Sequence, residues 1–191
     1  MFLQELRNST TGQNLVLSVA AGVTPWIDST GSPSKNVSSF ADVLDLISIM
    51  NYDVGSNSSF GAGSSSPLDD SCAPIYARSG SAKSAVAAWT SAGIPVHKLL
   101  LGVPSYSHSF VTLSSQPGGT KAPEYPLYSS IKHQGDRWDV ASTDVCGKQW
   151  GFGGTFEYWG LIEGGFLNSD GSPREGIQYR FDNCSKTVGS C

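Results

Sequence analysis

The chain has 191 residues, 39% of them hydrophobic and 15% charged, which is enough apolar content to bury a core and too much for a wholly disordered chain. Twelve basic against sixteen acidic residues give a formal net charge of −4, and no Lys/Arg run interleaves with aromatics, so nucleic acid is not an expected partner. No stretch reaches the roughly twenty apolar residues of a membrane-spanning helix, so no membrane partner is expected either.

In chain order, Met1-Phe-Leu-Gln-Glu-Leu-Arg7 has no basic leader, apolar centre or small-residue cleavage site of a signal peptide. It reads as the last turns of an amphipathic helix with Phe2, Leu3 and Leu6 on one side, so a truncated start is expected. Leu15–Ala20, Leu44–Met50 and Lys98–Val103 are short, nearly continuous apolar runs, the pattern of strands buried on both faces of a parallel sheet. Between the first two, Ser38–Leu44 can form a short helix. Ser81–Ala92 predicts a longer Ala-rich helix, with Gly93 as its C-cap and Pro95 beyond. Strand, helix, strand, helix, strand is the pattern of right-handed βαβ units, so the fold class is α/β. The segment Val54–Pro74 is rich in Ser and Gly and carries the Asp69-Asp70 pair. It follows the second strand, where α/β proteins place binding loops, although an ordinary solvated loop fits it equally. Beyond Val103 the texture changes: 13 of the 20 aromatic residues fall between Tyr106 and Cys191, amid Gly, Pro and short polar segments. That composition predicts a smaller, strand-rich unit.

Cys72, Cys146, Cys184 and Cys191 form no C-x-x-C pair and the three histidines lie far apart, so neither a structural zinc site nor any cofactor is expected. The wide spacing suits buried thiols or disulfides of an oxidising compartment and does not choose between them. Asn-x-Ser/Thr sequons at Asn8, Asn36, Asn57 and Asn183 tilt the choice toward secretion, although a chain this rich in Ser and Thr makes sequons by chance.

A Gly-x-Ser-x-Gly elbow, a phosphate-binding loop and His-x-x-x-His spacing are all absent from the sequence. What remains is Met50-Asn-Tyr-Asp53, a Tyr and an Asp at the carboxyl end of a predicted parallel strand, where side chains leave the packed interior for the ligand side. An Asp there can hold a polar substrate group and stabilise positive charge, or it can simply cap the next turn. The third strand runs into Gly102-Val-Pro-Ser-Tyr-Ser-His-Ser-Phe110, a second aromatic and polar cluster at a carboxyl end. Aromatic faces beside hydrogen-bonding groups suit sugar rings, whose C–H faces stack on π surfaces.

Leu46-Ile-Ser-Ile-Met-Asn-Tyr-Asp53 and Leu99-Leu-Leu-Gly-Val-Pro-Ser-Tyr-Ser-His-Ser-Phe110 together resemble glycoside hydrolase family 18, the chitinase-type family, and look most like fungal members. The likeness extends through Phe2–Arg7, Leu15–Ala20 and Gly153-Gly-Thr-Phe-Glu-Tyr-Trp-Gly-Leu-Ile-Glu163, and weakens after Cys184. It implies a (β/α)8 TIM barrel with an α+β domain inserted after its seventh strand. The three strands here would be the fifth to seventh, giving an incomplete barrel over residues 1–106 and an α+β insertion domain with a divergent tail over 107–191. Tyr52 and Asp53 would be the catalytic supporting pair that positions the substrate N-acetyl group and stabilises the cyclised intermediate. Met50, Asn51, Tyr106, His108 and Trp159 would be substrate-binding, His108 standing where many members carry Arg.

The resemblance further implies substrate-assisted retaining chemistry on β-1,4-linked N-acetylglucosamine polymers, in which one Glu protonates the leaving oxygen. That Glu ends an acidic D-x-x-D-x-D-x-E run in the family, and no such run occurs in this sequence. Glu157 and Glu163 lack acidic companions at that spacing and are not expected to replace it. General acid catalysis contributes typically about 10²–10⁴-fold, so the chain is expected to be inactive alone. A chitinase-type hydrolase fragment is therefore the leading reading, with a non-catalytic chitin- or chitooligosaccharide-binding protein as the alternative. A complementary barrel fragment is a candidate partner, because an open parallel sheet exposes edges. The family implies an extracellular location, and Cys146 could pair with Cys184 within the insertion. A barrel takes about 250 residues, which the 106 residues ahead of the insertion cannot supply.

Overall fold

The computed structural model describes residues 2–55, 61–73, 75, 78–113 and 126–190; the Asn57 sequon, Pro74 and Cys191 lie outside them. The chain opens with α1 (Phe2–Asn8) and continues into β1 (Ser18–Ala21), β2 (Leu46–Ile49), α2 (Ala82–Ser91) and β3 (Leu99–Leu101). These strands form one parallel sheet in the order β1-β2-β3, so the predicted alternation of strands and helices is present without a closed barrel.

Burial follows the sheet register. Val19 pairs with Ile47 and Ile47 with Leu99, and Ala21 pairs with Ile49, so these side chains share one face. On that face Ile47 and Ile49 are 1% and 0% exposed, packed with Ala85, Trp89, Ala92 and Ile94 from α2 and its exit. Trp89 is fully buried, meets Trp26 edge-on at 4.9 Å, and donates its Nε1–H to the Gly22 carbonyl at 3.0 Å. The other row, Ser18, Ala20, Leu46, Ser48 and Leu100, is half-buried or exposed. The expectation of strands buried on both faces therefore holds for neither β1 nor β3, and Leu101 and Val103 are exposed as well.

Several element boundaries also differ from the sequence reading. The first strand begins at Ser18, not Leu15, because the chain gains a strand neighbour only where β2 starts; Leu15 and Val16 stay exposed. Ser38–Phe40 makes a 3-10 turn in place of a helix reaching Leu44. The Lys98 ammonium takes the Ala41 and Leu44 carbonyls at 2.6 and 2.8 Å, satisfying acceptors that a longer helix would have used. In α1, Leu3 reaches the core but Phe2 is 73% exposed, so the predicted apolar side is only partly used.

Helix α2 starts as the sequence suggested. Ser81 caps it in a reciprocal box with Ser84, worth about 0.5–2 kcal/mol. Gly93 follows the last turn at φ +98°, the left-handed position that favours glycine. Asp70 accepts from the Ser81 hydroxyl at 2.8 Å and the Gly80 N–H at 3.2 Å, and Asp69 pairs with Lys83 at 2.7 Å. The acidic pair thus serves the helix start, where its charge also suits the macrodipole.

From β4 (Tyr106–His108) onward the elements are short. Between β4 and its antiparallel partner β7 (Thr155–Glu157) lies a hairpin of β5 (Ser142–Thr143) and β6 (Gln149–Trp150). Then come α3 (Tyr158–Glu163) and a hairpin of β8 (Tyr179–Asp182) and β9 (Thr187–Ser190). That last hairpin is tied to the loop after β2: Leu68 N–H donates to the Ser185 carbonyl at 2.8 Å, and Cys72 bridges to Cys184 across 112 residues. The pairing of Cys184 with Cys146 is therefore incorrect. Cys146 is free and exposed on the β5–β6 turn, while Cys72 comes within a Cα–Cα distance of 5.7 Å of Cys184.

Peptide mapping without reductant is expected to recover Cys72 linked to Cys184 and Cys146 alkylated; a Cys146–Cys184 peptide would contradict this connectivity. Trp89→Ala should lower the unfolding free energy by about 3–5 kcal/mol in urea titration, since it empties the centre of the core and orphans the Gly22 carbonyl.

Candidate functional site

The carboxyl ends of β2 and β3 and the start of β4 converge on Asp53. As the chain leaves β2, Asn51 turns inward and is 5% exposed, with Nδ2 near Ser66 Oγ and the Pro67 carbonyl at 3.5 and 3.4 Å. Asn51 therefore anchors the following loop from within, and its Oδ1 has no partner among the described residues. Tyr52 lays its ring against Gly102 at the end of β3. A Cβ there would stand 2.8 Å from Tyr52 Cε1 and 2.9 Å from the Ile49 carbonyl, so only glycine admits the ring. Met50 sits at the rim, 39% exposed, its N–H donating to the Ala21 carbonyl at 2.8 Å.

Asp53 adopts φ 59°, a left-handed conformation that Asp tolerates better than most residues. This turn presents its carboxylate to β4. The Tyr106 hydroxyl donates to Oδ2 at 2.7 Å, His108 Nε2 meets Oδ1 at 2.9 Å, and the Ser65 hydroxyl reaches Oδ1 at 3.4 Å. A carboxylate requires donors, so His108 carries its proton on Nε2; Nδ1 lies 3.4 Å from the Thr155 hydroxyl of β7. The Tyr106 ring stands edge-on to both Tyr52, at 6.1 Å, and His108, at 5.5 Å.

The electrostatics follow from these contacts. Burial raises the pKa of Asp53, but the hydrogen bonds from Tyr106 and His108 and the His108 charge overcome it and hold the carboxyl below its ordinary value. Tyr106 moves the other way: burial first, then its bond to Asp53 and that residue's charge, push the phenol well above its ordinary range. Glu157, opposite Tyr106 in the ladder, adds to the same rise.

Of the sequence-predicted site residues, Tyr52, Asp53, Tyr106 and His108 form one group. Trp159 does not join them; it packs edge-on to Trp138 at 6.1 Å and takes the Arg137 guanidinium at 5.2 Å. Sequence reasoning named neither Thr155, which His108 Nδ1 approaches, nor the residues that hold β7. Asp139 accepts the N–H groups of Gly153, Gly154, Gly135 and Thr155 at 2.7–3.2 Å, and Asp136 accepts that of Glu157 at 2.7 Å. Their only signal was an Asp-x-x-Asp spacing ahead of the Gly-rich run, which alone names no role. Among the described residues no cluster of His, Cys, Asp and Glu could hold a metal ion.

The sequence profile of "Glycosyl hydrolases family 18" matches residues 1–175. A "chitinase-like effector" from Moniliophthora perniciosa is 45% identical over 98% of this chain and 44% of its own length. A second "chitinase-like effector", from Moniliophthora roreri, is 43% identical over 97% of this chain and 46% of its own. The crystal structure of a chitinase from Rhizomucor miehei superposes with a TM-score of 0.80 at 26% identity, covering 99% of this chain and 51% of that one. The chain thus spans about half the length of these proteins, and the solved chitinase has the TIM-barrel fold.

The Asp53–Tyr106 bond makes a pH signature. Asp53, with a lowered folded pKa, contributes stability that is complete above about pH 4 and lost as pH falls through the folded value; Tyr106, with a raised one, contributes below about pH 10 and loses it as pH rises. Asp53→Asn should shift one tyrosine's ionisation, followed at 295 nm, to lower pH, and an unchanged titration would show that the bond is not made in solution.

Proposed function

The chain belongs to glycosyl hydrolases family 18, and we propose that it supplies the sugar-holding part of a family cleft, binding β-1,4-linked N-acetylglucosamine oligomers without hydrolysing them by itself. The observation that carries this is the Asp53 carboxylate held by Tyr106 and His108 beside the Tyr52 ring. A carboxylate offers about four acceptor positions and here three are used, so Asp53 can still accept an N–H or O–H from a sugar. The Tyr52 hydroxyl has no partner among the described residues and stands free for a second contact. Two tyrosine rings at the strand ends supply the π surface that a pyranose C–H face stacks on.

On this reading the three parallel strands are the fifth to seventh of the family barrel, and residues 107–191 are the inserted α+β domain. The outer edges of β1 and β3 and the exposed Leu100, Leu101 and Val103 favour a complementary barrel piece as a partner. An extracellular setting accords with the Cys72–Cys184 bridge. Hydrolysis is where the chain falls short. The acidic run ending in the protonating Glu is not in the sequence. Glu157 is a β7 residue facing Tyr106 across the ladder, and Glu163 sits 3.6 Å from Arg137, away from Asp53. Neither stands in an acidic run of the family's spacing.

The test is retention on chitin together with an assay on N-acetylglucosamine oligomers. The chain should be retained, Tyr52→Ala and Tyr106→Ala should each weaken retention by loss of the ring face on which a sugar packs, and no shorter oligomers should appear. Absence of retention by the parent chain would reject the binding reading, and product release at the rate of an intact family member would reject the inactivity.

A further inference from the structure

Three of the four sequons lie on described residues, and their surroundings differ in a way that sorts them. Asn36 is exposed at the approach to the Ser38–Phe40 turn. Its Oδ1 accepts both the N–H and the hydroxyl of Ser38, at 3.0 and 2.8 Å, while its Nδ2 has no partner among the described residues. Asn8 is exposed at the end of α1, its Nδ2 likewise without a partner among the described residues. Asn183 is exposed too, but the rest of its sequon is shut. Cys184, the middle residue, is bridged to Cys72, and the Ser185 hydroxyl is buried, bonded to Asp182 Oδ2 at 2.6 Å and to Thr187 Oγ1 at 2.7 Å.

We propose that Asn8 and Asn36 are N-glycosylation sites and that the Cys72–Cys184 disulfide keeps Asn183 unmodified. The proposal rests on the extracellular setting argued above. Transfer forms a C–N bond from the asparagine Nδ2 to the anomeric carbon of a lipid-pyrophosphate-linked oligosaccharide. The C–O bond to the pyrophosphate breaks, the lipid pyrophosphate leaves with the electron pair, and the amide proton passes to a base of the transferase. The transferase acts on the chain before it folds, so the helical position of Asn8 and the burial of Val37 do not shield those sites, but it needs the sequon hydroxyl and a tripeptide free of a bridge. Cys72 precedes Cys184 by 112 residues and is already synthesised when Cys184 appears, so bridging and glycosylation compete for one tripeptide.

Placement makes the two open sites compatible with the cleft. Asn8 adjoins Arg7, whose guanidinium binds the Val43 and Leu15 carbonyls just ahead of β2 and β1. Asn36 adjoins Val37, whose N–H donates to the Ala92 carbonyl at the exit of α2, ahead of β3. Both therefore sit at the amino ends of the parallel strands, whereas Asp53 and Tyr106 follow the carboxyl ends. Glycans on Asn8 and Asn36 extend from the face opposite the sugar-holding group.

The experiment directs the full chain through the secretory pathway of a yeast and maps occupancy site by site after deglycosylation in heavy-oxygen water. Asn8 and Asn36 should be occupied and Asn183 empty; Asn8→Gln with Asn36→Gln should remove two glycans and leave chitin retention unchanged. Cys72→Ser should raise occupancy at Asn183. Because that variant can fail to leave the cell, the same rise is read on intracellular wild-type chain labelled in the presence of a reductant. Unmodified Asn8 and Asn36 in the secreted chain, or an occupied Asn183 in molecules whose bridge is intact, would overturn the proposal. Since the host supplies the route, such a failure leaves the sugar-binding reading standing, which chitin retention tests separately.

Discussion

The candidate site depends on one carboxylate placed by a backbone turn that most residues would resist. Asp53 leaves the central strand at φ 59°, a conformation costing about 1–2 kcal/mol for an L-residue. Hydrogen bonds to a charged group contribute about 1.5–3 kcal/mol each when shielded, and toward the low end here because the Asp53 side chain is 47% exposed. Two good bonds, from Tyr106 and His108, offset the strain with little to spare. Removing either would leave the strained turn held by a single bond to β4. The same carboxylate thus joins the parallel sheet to the antiparallel ladder and, on the proposed reading, faces the ligand.

The two ends of the parallel sheet divide the work. At the amino end, Arg7 gathers the Val43, Gly12 and Leu15 carbonyls and Asp45, Asp45 in turn accepts the Leu17 N–H at 2.7 Å, and Lys98 holds two more carbonyls. These contacts close backbone groups that strand starts and short turns leave open. The carboxyl end carries little of this bracing. There the side chains are Tyr, Asp and His, groups whose hydrogen-bonding capacity exceeds what the fold consumes. In parallel α/β architectures stability concentrates at one end of the strands and binding at the other, and this chain keeps that polarity without a closed barrel.

What could be read from the sequence follows the range of the forces involved. The three strands and α2 were legible because local periodicity and capping residues, Ser81 and Gly93 among them, specify them within a dozen residues. That Tyr52, Asp53, Tyr106 and His108 lie together was legible because they follow the ends of neighbouring parallel strands. The open second face of β1 and β3 was not, since apolar runs record what a strand prefers and not what covers it. Nor was the partner of Cys184, because Cys72 reaches it only after the β8–β9 hairpin docks on the loop that also holds Asp69 and Asp70. The contacts of Trp159, expected as a substrate-binding residue, were not legible for the same reason: its neighbours Arg137 and Trp138 lie about twenty residues away in sequence and carry no motif.

On the proposed reading, the groups this chain holds suit binding rather than turnover. Contacts made equally to the ground state and the transition state hold a ligand without lowering the chemical barrier. Stacking on Tyr52 and Tyr106 is of that kind. Asp53 would stabilise positive charge developing on an N-acetyl group, but charge develops only if the leaving oxygen is protonated, and the acidic run that supplies the proton in the family is not in this sequence. The stabilising carboxylate then acts on the resting sugar alone, as a hydrogen-bond acceptor. On the proposed reading, a cleft part with holding groups and no such acid suits occupancy of a sugar chain, and turnover would need a proton donor brought to the carboxyl ends of these strands.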